Sequence, residues 1–325
     1  MNEDAPSARP GQGSEPTRNL VLVHEPDIQD FGDLEAIASE VRALAPDIEV
    51  FIASNEIPSS LTRKHAARRP ALIYSPTELR RFRPLRGKIY AGTLMTKDTQ
   101  LNRLAQSGVA VPEFALLTDN LIVDPKRFGP IALLKPTGFS SHGRGIEMVR
   151  TDDIAGLRWR HHPLVKEAPE ATMMIQRFVD TGLYPSHMRV LTLFGETIFA
   201  FRAISEIQRP PLGAASEELA KGPFMAKHGQ RRLVVPVEPE VLDFARSTFK
   251  AIPEVALHGC DIIRETTTGQ LYALEINPGG NTWSFSSGWA HILHAELAMK
   301  DLSTQYDAWK VCARKLVEHT RGEAV

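Results

Sequence analysis

Three oxygen-bearing side chains near the C-terminal third stand out: Asp261, Glu275 and Asn277. Alternate residues of a strand share a face, so Glu275 and Asn277 point together. Cys260–Arg264 and Gln270–Ile276 read as a hairpin around Thr268-Gly269, which lets Asp261 reach the same patch. Two carboxylates and an amide oxygen are hard ligands. They suit Mg²⁺, which takes one or two carboxylates and completes its shell with water and phosphate oxygens. The plain alternative is an exposed polar face on an edge strand. The apolar flank Leu271, Tyr272, Ala273, Leu274 and Ile276 argues for a central hairpin, where acids need a partner.

Two lysines sit in distinct contexts. Lys97 opens a helix, against the dipole there, a cost that a nearby anion would offset. Lys135 ends the apolar strand Ile131–Lys135 and leads into Thr137–Gly145, a Gly/Ser-rich loop containing Ser140, Ser141, His142 and Gly143. Such a loop can fold backbone N–H groups and hydroxyls over phosphate oxygens, or simply turn the chain. It has neither the P-loop nor the dinucleotide spacing. Arg189 and Arg202, near opposite ends of a second hairpin, suit carboxylate or phosphate, or an ordinary sheet surface. Asn277–Trp283 contains Gly279-Gly280, which permits close backbone approach or a plain turn. No two histidines have metal-ligand spacing, and His258 reads as a surface or core residue.

The elements that must hold these groups alternate first and then turn β-rich. Leu20–Val23, Glu49–Ile52 and Ala71–Tyr74 read as strands. Between the first two, Leu34, Ile37, Val41 and Leu44 form one helix face. This gives a small α/β unit over residues 19–92, behind a disordered tail of residues 1–18. Thr96 caps a helix over Lys97–Ser107, with Leu101, Leu104 and Ala105 inward and Gly108 ending it. Ile146–Val149 is a strand, and Thr151 caps a short helix. Met173–Val179 is strand-like. Met188–Phe194 and Thr197–Arg202 form a hairpin on Gly195-Glu196. Residues 205–236 read as a long loop, Glu240–Ile252 as a helix, and Ala290–Glu318 as mostly helical.

Composition bounds the function. The 325 residues are 42% hydrophobic and 24% charged, with net charge -1, which excludes a disordered chain and a polyelectrolyte binder. No apolar run reaches a membrane span, and the first residues lack a secretory signal. Cys260 and Cys312 read as reduced thiols, consistent with a cytoplasmic protein. One local surplus stands out: residues 61–88 hold nine lysines and arginines against the single acid Glu78. This is either a solvated surface or a site for an anionic substrate or partner. No interleaved aromatics point to nucleic acid.

In order, these features resemble the ATP-grasp superfamily, in its carboxylate–amine ligase branch. The resemblance runs over about residues 93–300. It passes through Thr96-Lys97-Asp98, Gly108–Pro112, Leu134-Lys135-Pro136, Ile175–Val179, Met188-Arg189-Val190 and Gly259–Ile263 to Leu274–Pro278. It implies an α/β N-terminal (pre-ATP-grasp) domain followed by a two-lobed α+β ATP-grasp domain over 93–325, with lobes of about 93–170 and 171–325. Lys97 and Lys135 would hold ATP phosphates, with Ser140, Ser141 and Gly143 in the loop that closes over them. Gln176 to Phe178 would read adenine, where the family often carries a glutamate at the position of Gln176. Asp180 would contact the ribose. Asp261, Glu275 and Asn277 would hold one or two Mg²⁺ ions, with Mn²⁺ as a substitute. Arg189 and Arg202 would hold the carboxylate and the tetrahedral intermediate. The implied reaction joins a small-molecule carboxylate, activated as acylphosphate with release of ADP, to an amine or similar nucleophile. A small-molecule kinase and a non-catalytic MgATP sensor are the other readings. A homodimer is the implied assembly, with no membrane or specific nucleic-acid partner.

Overall fold

The computed structural model describes residues 15–138, 145–156, 161, 165–166, 172–279 and 282–325. Strands β1 (Arg18–His24), β2 (Ile48–Ser54), β3 (Ala71–Ser75) and β4 (Lys88–Ala91) form a parallel sheet in the order β2-β1-β3-β4. Leu20 to Val23 are inaccessible to solvent because both faces of this sheet are covered. Helix α1 (Phe31–Leu44) lies on one face, capped by Asp30, whose carboxylate accepts from the Gly32 N–H at 2.7 Å. Helix α2 (Ser60–Ala66) and the segment around Leu79 and Phe82 cover the other.

Some boundaries differ from expectation. Arg18 belongs to β1 and not to the tail, whose residues 1–14 lie outside the described residues. Leu44 is 52% exposed; Ala45, four residues after Val41, takes the buried position in its place.

The antiparallel part makes two further sheets. The first, in order β5-β8-β6-β7, contains β5 (Phe114–Leu116), β6 (Ile131–Pro136), β7 (Glu147–Arg150) and β8 (Met173–Arg177). Helix α3 (Lys97–Gln106) precedes it, and the short helices α4 (Pro125–Phe128) and α5 (Thr151–Ile154) edge it. Thr96 is the N-cap of α3, but its hydroxyl pairs with Thr99 Oγ1 and not with a backbone N–H. Leu101 and Leu104 face inward as expected, whereas Ala105 is exposed. Thr151 is the first residue of α5, with Arg150 at the cap.

The larger sheet, in order β11-β10-β9-β12-β13, contains β9 (Ser186–Leu193), β10 (Glu196–Ser205), β11 (Arg231–Val234), β12 (Leu257–Arg264) and β13 (Leu271–Asn277). Phe194 (φ 49°) and Gly195 (φ 79°) make the two-residue turn between β9 and β10, both left-handed as a tight hairpin requires. The 205–236 segment is not simply a loop. It contains helix α6 (Ser216–Leu219) and edge strand β11, whose Arg-Arg-Leu-Val sequence lacks a clean period.

Helices α7 (Pro239–Thr248), α8 (Ala290–Leu297) and α9 (Ala308–Glu323) complete the chain. Helix α9 packs against α1, β1, β3 and β10. The Val325 and Ala71 backbones bond to each other, so the C-terminus closes onto β3. One hydrophobic cluster runs from Leu20 and Tyr74 through Leu191 and Phe199 to Trp283 and Leu316, so the N-terminal sheet and the large sheet share a core. Cys260 and Cys312 are both buried free thiols. No helix among the described residues is long and apolar enough to cross a membrane.

Candidate active site

The site begins with strand register. Arg189, Asp261 and Glu275 stand side by side on β9, β12 and β13. The β12–β13 ladder shifts by one residue between Asp261 and Ile262, because Leu274 is an extra residue on β13. Bulges of this kind re-aim side chains. Here Glu275 and Asn277 come to the face that carries Asp261.

Arg189 grips Asp261 with two bonds, Nε to Oδ1 at 2.6 Å and Nη2 to Oδ2 at 2.9 Å. The Asn277 amide nitrogen donates to Asp261 Oδ2 and to the Gly259 carbonyl, both at 3.2 Å, so Oδ1 is the ligand atom Asn277 can offer. Lys97 Nζ lies 3.4 Å from Glu275 Oε2 and donates to the Gly138 carbonyl at 3.3 Å. Burial pushes the Asp261 carboxyl up, to about 7, against the pull of Arg189. Burial would also raise Glu275, but Lys97, Lys135 and Arg189 together outweigh it and hold this carboxylate below its ordinary range.

Lys135 is almost wholly buried, and Gln176 Oε1 accepts from its Nζ at 2.8 Å. Burial pulls the ammonium down to about 8, with Glu275 and Asp261 partly restoring it. The Gln176 side chain therefore supports the lysine. Helix α3 is locked to β13 by a residue that sequence reasoning missed: buried Gln100 accepts from the Ile276 N–H at 2.9 Å and donates to the Met95 carbonyl at 2.9 Å. The signal was available, since Gln100 is a polar residue on the helix face of Leu101 and Leu104. Gly259 is also required. A Cβ there would lie 2.8 Å from Thr282 Cγ2 and 3.2 Å from Arg189 Nη1.

Lys97, Lys135, Gln176, Arg189, Asp261, Glu275 and Asn277 line one cavity of about 950 Å³. Leu133, Ile146, Phe178 and Leu274 form an apolar wall beside Lys135. The opposite end is bounded by Phe201, Arg231, Trp289 and Ile292, which the sequence did not single out. His187 lines the cavity as a neutral imidazole, held down to about 3 by burial and by Arg189 and Arg231. Two carboxylates with an adjacent amide, desolvated between two lysines, match the donor set of Mg²⁺ carrying phosphate oxygens. The apolar wall beside those lysines matches a nucleobase.

Not every candidate comes here. Arg202 pairs with Met188 in the β9–β10 register and so lies on the face opposite Arg189. It contacts Ser186 Oγ at 3.3 Å and Glu238 at 3.7 Å and does not line the cavity. Asp180 is bound by Arg209, at 3.1 Å, and caps the Gly182 N–H. Ser140, Ser141 and Gly143, with His142, Gly280 and Asn281, lie outside the described residues. In the basic stretch Arg69 pairs with Glu49, while Arg81 and Arg83 are exposed and do not line the cavity. His258 is a core histidine, bonded to the Ile252 carbonyl at 3.2 Å. Trp283, at the end of the Asn277–Trp283 segment, is buried and donates to Asp33 on α1 at 2.7 Å.

No protein-family model and no curated protein matches the chain. Solved structures do. The D-cycloserine synthetase DcsG aligns with a TM-score of 0.52 at 11% identity, over 93% of this chain and 99% of that one. The ATP-grasp ligase PsnB, complexed with a minimal precursor, aligns at 0.50 and 16% identity, over 93% and 100%. An ATP-grasp ligase associated with RiPPs from Chryseobacterium gregarium, in complex with ADP and a leader and core peptide, aligns at 0.52 and 12%, over 93% and 97%. The chain has the ATP-grasp fold.

Proposed function

We propose that the protein is an ATP- and Mg²⁺-dependent ligase that activates a carboxylate as its acylphosphate and joins it to an amine or similar nucleophile. The observation that carries this reading is the row Glu275–Asp261–Arg189, flanked by Lys97 and Lys135 in one cavity. Fold neighbours that are ligases, one of them holding ADP, support it.

In this reading Lys97 and Lys135 bind the phosphates, and the Gln176–Phe178 segment at the end of β8, with Leu133, Ile146 and Leu274, receives adenine. Asp261, Glu275 and Asn277 would hold Mg²⁺, which would supply charge neutralisation at the phosphates. Arg189, already fixed by Asp261, presents its remaining donors to the substrate carboxylate. A carboxylate oxygen bonds to the γ-phosphorus as the bond to ADP breaks. The amine nitrogen then bonds to the acyl carbon, phosphate leaves, and the ammonium proton passes to solvent. Positioning and charge neutralisation supply the catalysis, which is the service that a buried lysine, a second, partly buried one and a held guanidinium provide. Arg202 and Asp180 have no part in it.

The test is release of ADP and of free phosphate by purified protein against panels of carboxylates and amines. A ligase releases both, and only when both substrates are present. ADP without free phosphate identifies a kinase, and MgATP binding without turnover identifies a sensor.

A further inference from the structure

Past Arg189 the cavity changes character. Phe201 stands directly beside Arg189 on β10, and the Arg231 guanidinium of β11 lies 6.0 Å from the centre of its ring. Trp289 and Ile292, at the start of α8, bound this chamber, as does Met225. Glu296 on α8 accepts from Arg231 Nε at 3.0 Å and meets His228 Nδ1 at 2.6 Å. This carboxylate pins the 228–231 segment to α8 and so fixes the width of the chamber. It also offsets the charge of Arg231, so the broad faces of this chamber are the apolar groups Phe201, Met225, Trp289 and Ile292, with His187, Lys227 and His228 also on its lining.

We infer that this chamber is the specificity pocket for the acid, and that the acid is a small molecule with an aromatic or branched apolar body. The inference rests on the ligase reading above. The carboxylate sits at Arg189, and the body lies on Phe201 between Trp289, Ile292 and Met225. A small or polar acid would leave these walls wetted and gain nothing from them, whereas an apolar body removes both surfaces from water. Differences of a few methylenes in such a pocket are worth tenfold or more in kcat/KM.

The experiment uses the full chain with MgATP and hydroxylamine as a general nucleophile, and reads ADP release. The acids are acetate, glycine, succinate, phenylacetate, 4-methylpentanoate and phenylalanine. The expected result is a kcat/KM for the apolar-bodied acids at least about tenfold above acetate, glycine and succinate. Ile292→Trp, which fills the chamber, should cut the phenylacetate-to-acetate ratio by about tenfold, mainly through KM. Met225→Trp should do the same independently of α8. Calorimetric MgATP binding identifies folded variants. Preference for the small or polar acids, or an unchanged ratio in folded variants, overturns the inference and leaves the ligase reading standing. MgATP binding without ADP release for any acid overturns both.

Discussion

Lys135→Met should make the protein more stable and unable to work. The lysine would ionise at 10.5 in water, and burial pulls it down to about 8. At about 1.4 kcal/mol per tenfold, holding this ammonium without a bound anion costs roughly 3 kcal/mol at pH 7. Methionine keeps the apolar stem and removes the charge. It also leaves Gln176 Oε1 without its donor, which returns about 1 kcal/mol. The net gain is roughly 2 kcal/mol, or a rise in melting temperature of about 3 °C for a chain of this size.

The pH dependence gives a second signature. Between pH 8 and 10.5 the unfolded chain still binds the proton that the folded chain has released. The wild type therefore gains stability with rising pH across that window. By pH 9.5 the charge cost falls to about 1 kcal/mol, and the advantage of the variant disappears. Thermal unfolding of the ligand-free proteins at pH 7 and 9.5 measures this. Calorimetry should show MgATP affinity reduced about 10- to 100-fold in the variant, the value of a charge-assisted bond. A variant that melts below wild type at pH 7, or a gain that ignores pH, would refute the argument that Lys135 is held at a cost for the sake of an anion.

Other expectations follow from the same geometry. Glu275→Gln should lower ADP release by at least about 100-fold with an unchanged circular dichroism spectrum; near-wild-type turnover would remove the metal-site reading. Arg189→Ala should lose about 100-fold or more in kcat/KM, whereas Arg202→Ala should stay within about threefold, because only the first faces the cavity. Gly259→Ala should destabilise by about 1–3 kcal/mol in denaturant titration. Adding Thr282→Ser deletes the Cγ2 atom that the new Cβ would strike, and should recover most of that loss.

How the sequence comes to specify this site turns on two hairpins that each carry one extra residue. Much was legible. Apolar runs and periods located most strands and the long helices, because buried parallel strands and amphipathic helices have patterns that packing enforces. Glu275 and Asn277 share a face by period two alone. Asp261 does not follow from that rule. The pairs Arg264–Leu271, Ile263–Tyr272 and Ile262–Ala273 would, if continued regularly, set Asp261 opposite Leu274 and leave Glu275 on the other face. The extra Leu274 restores the match, so the acidic pair exists because of a bulge that no composition pattern announces. The β9–β10 hairpin shows the converse. Regular pairing from Glu196–Leu193 and Thr197–Thr192 would place Arg202 opposite His187, on the face of Arg189. The irregularity between Thr197 and Phe199 turns it to Met188 and out of the cavity, and brings Phe201 in beside Arg189. One shift brings Asp261 and Glu275 side by side; the other exchanges a second arginine for an aromatic floor. A one-residue slip in either strand would thus undo the chemistry while sparing most of the apolar pattern.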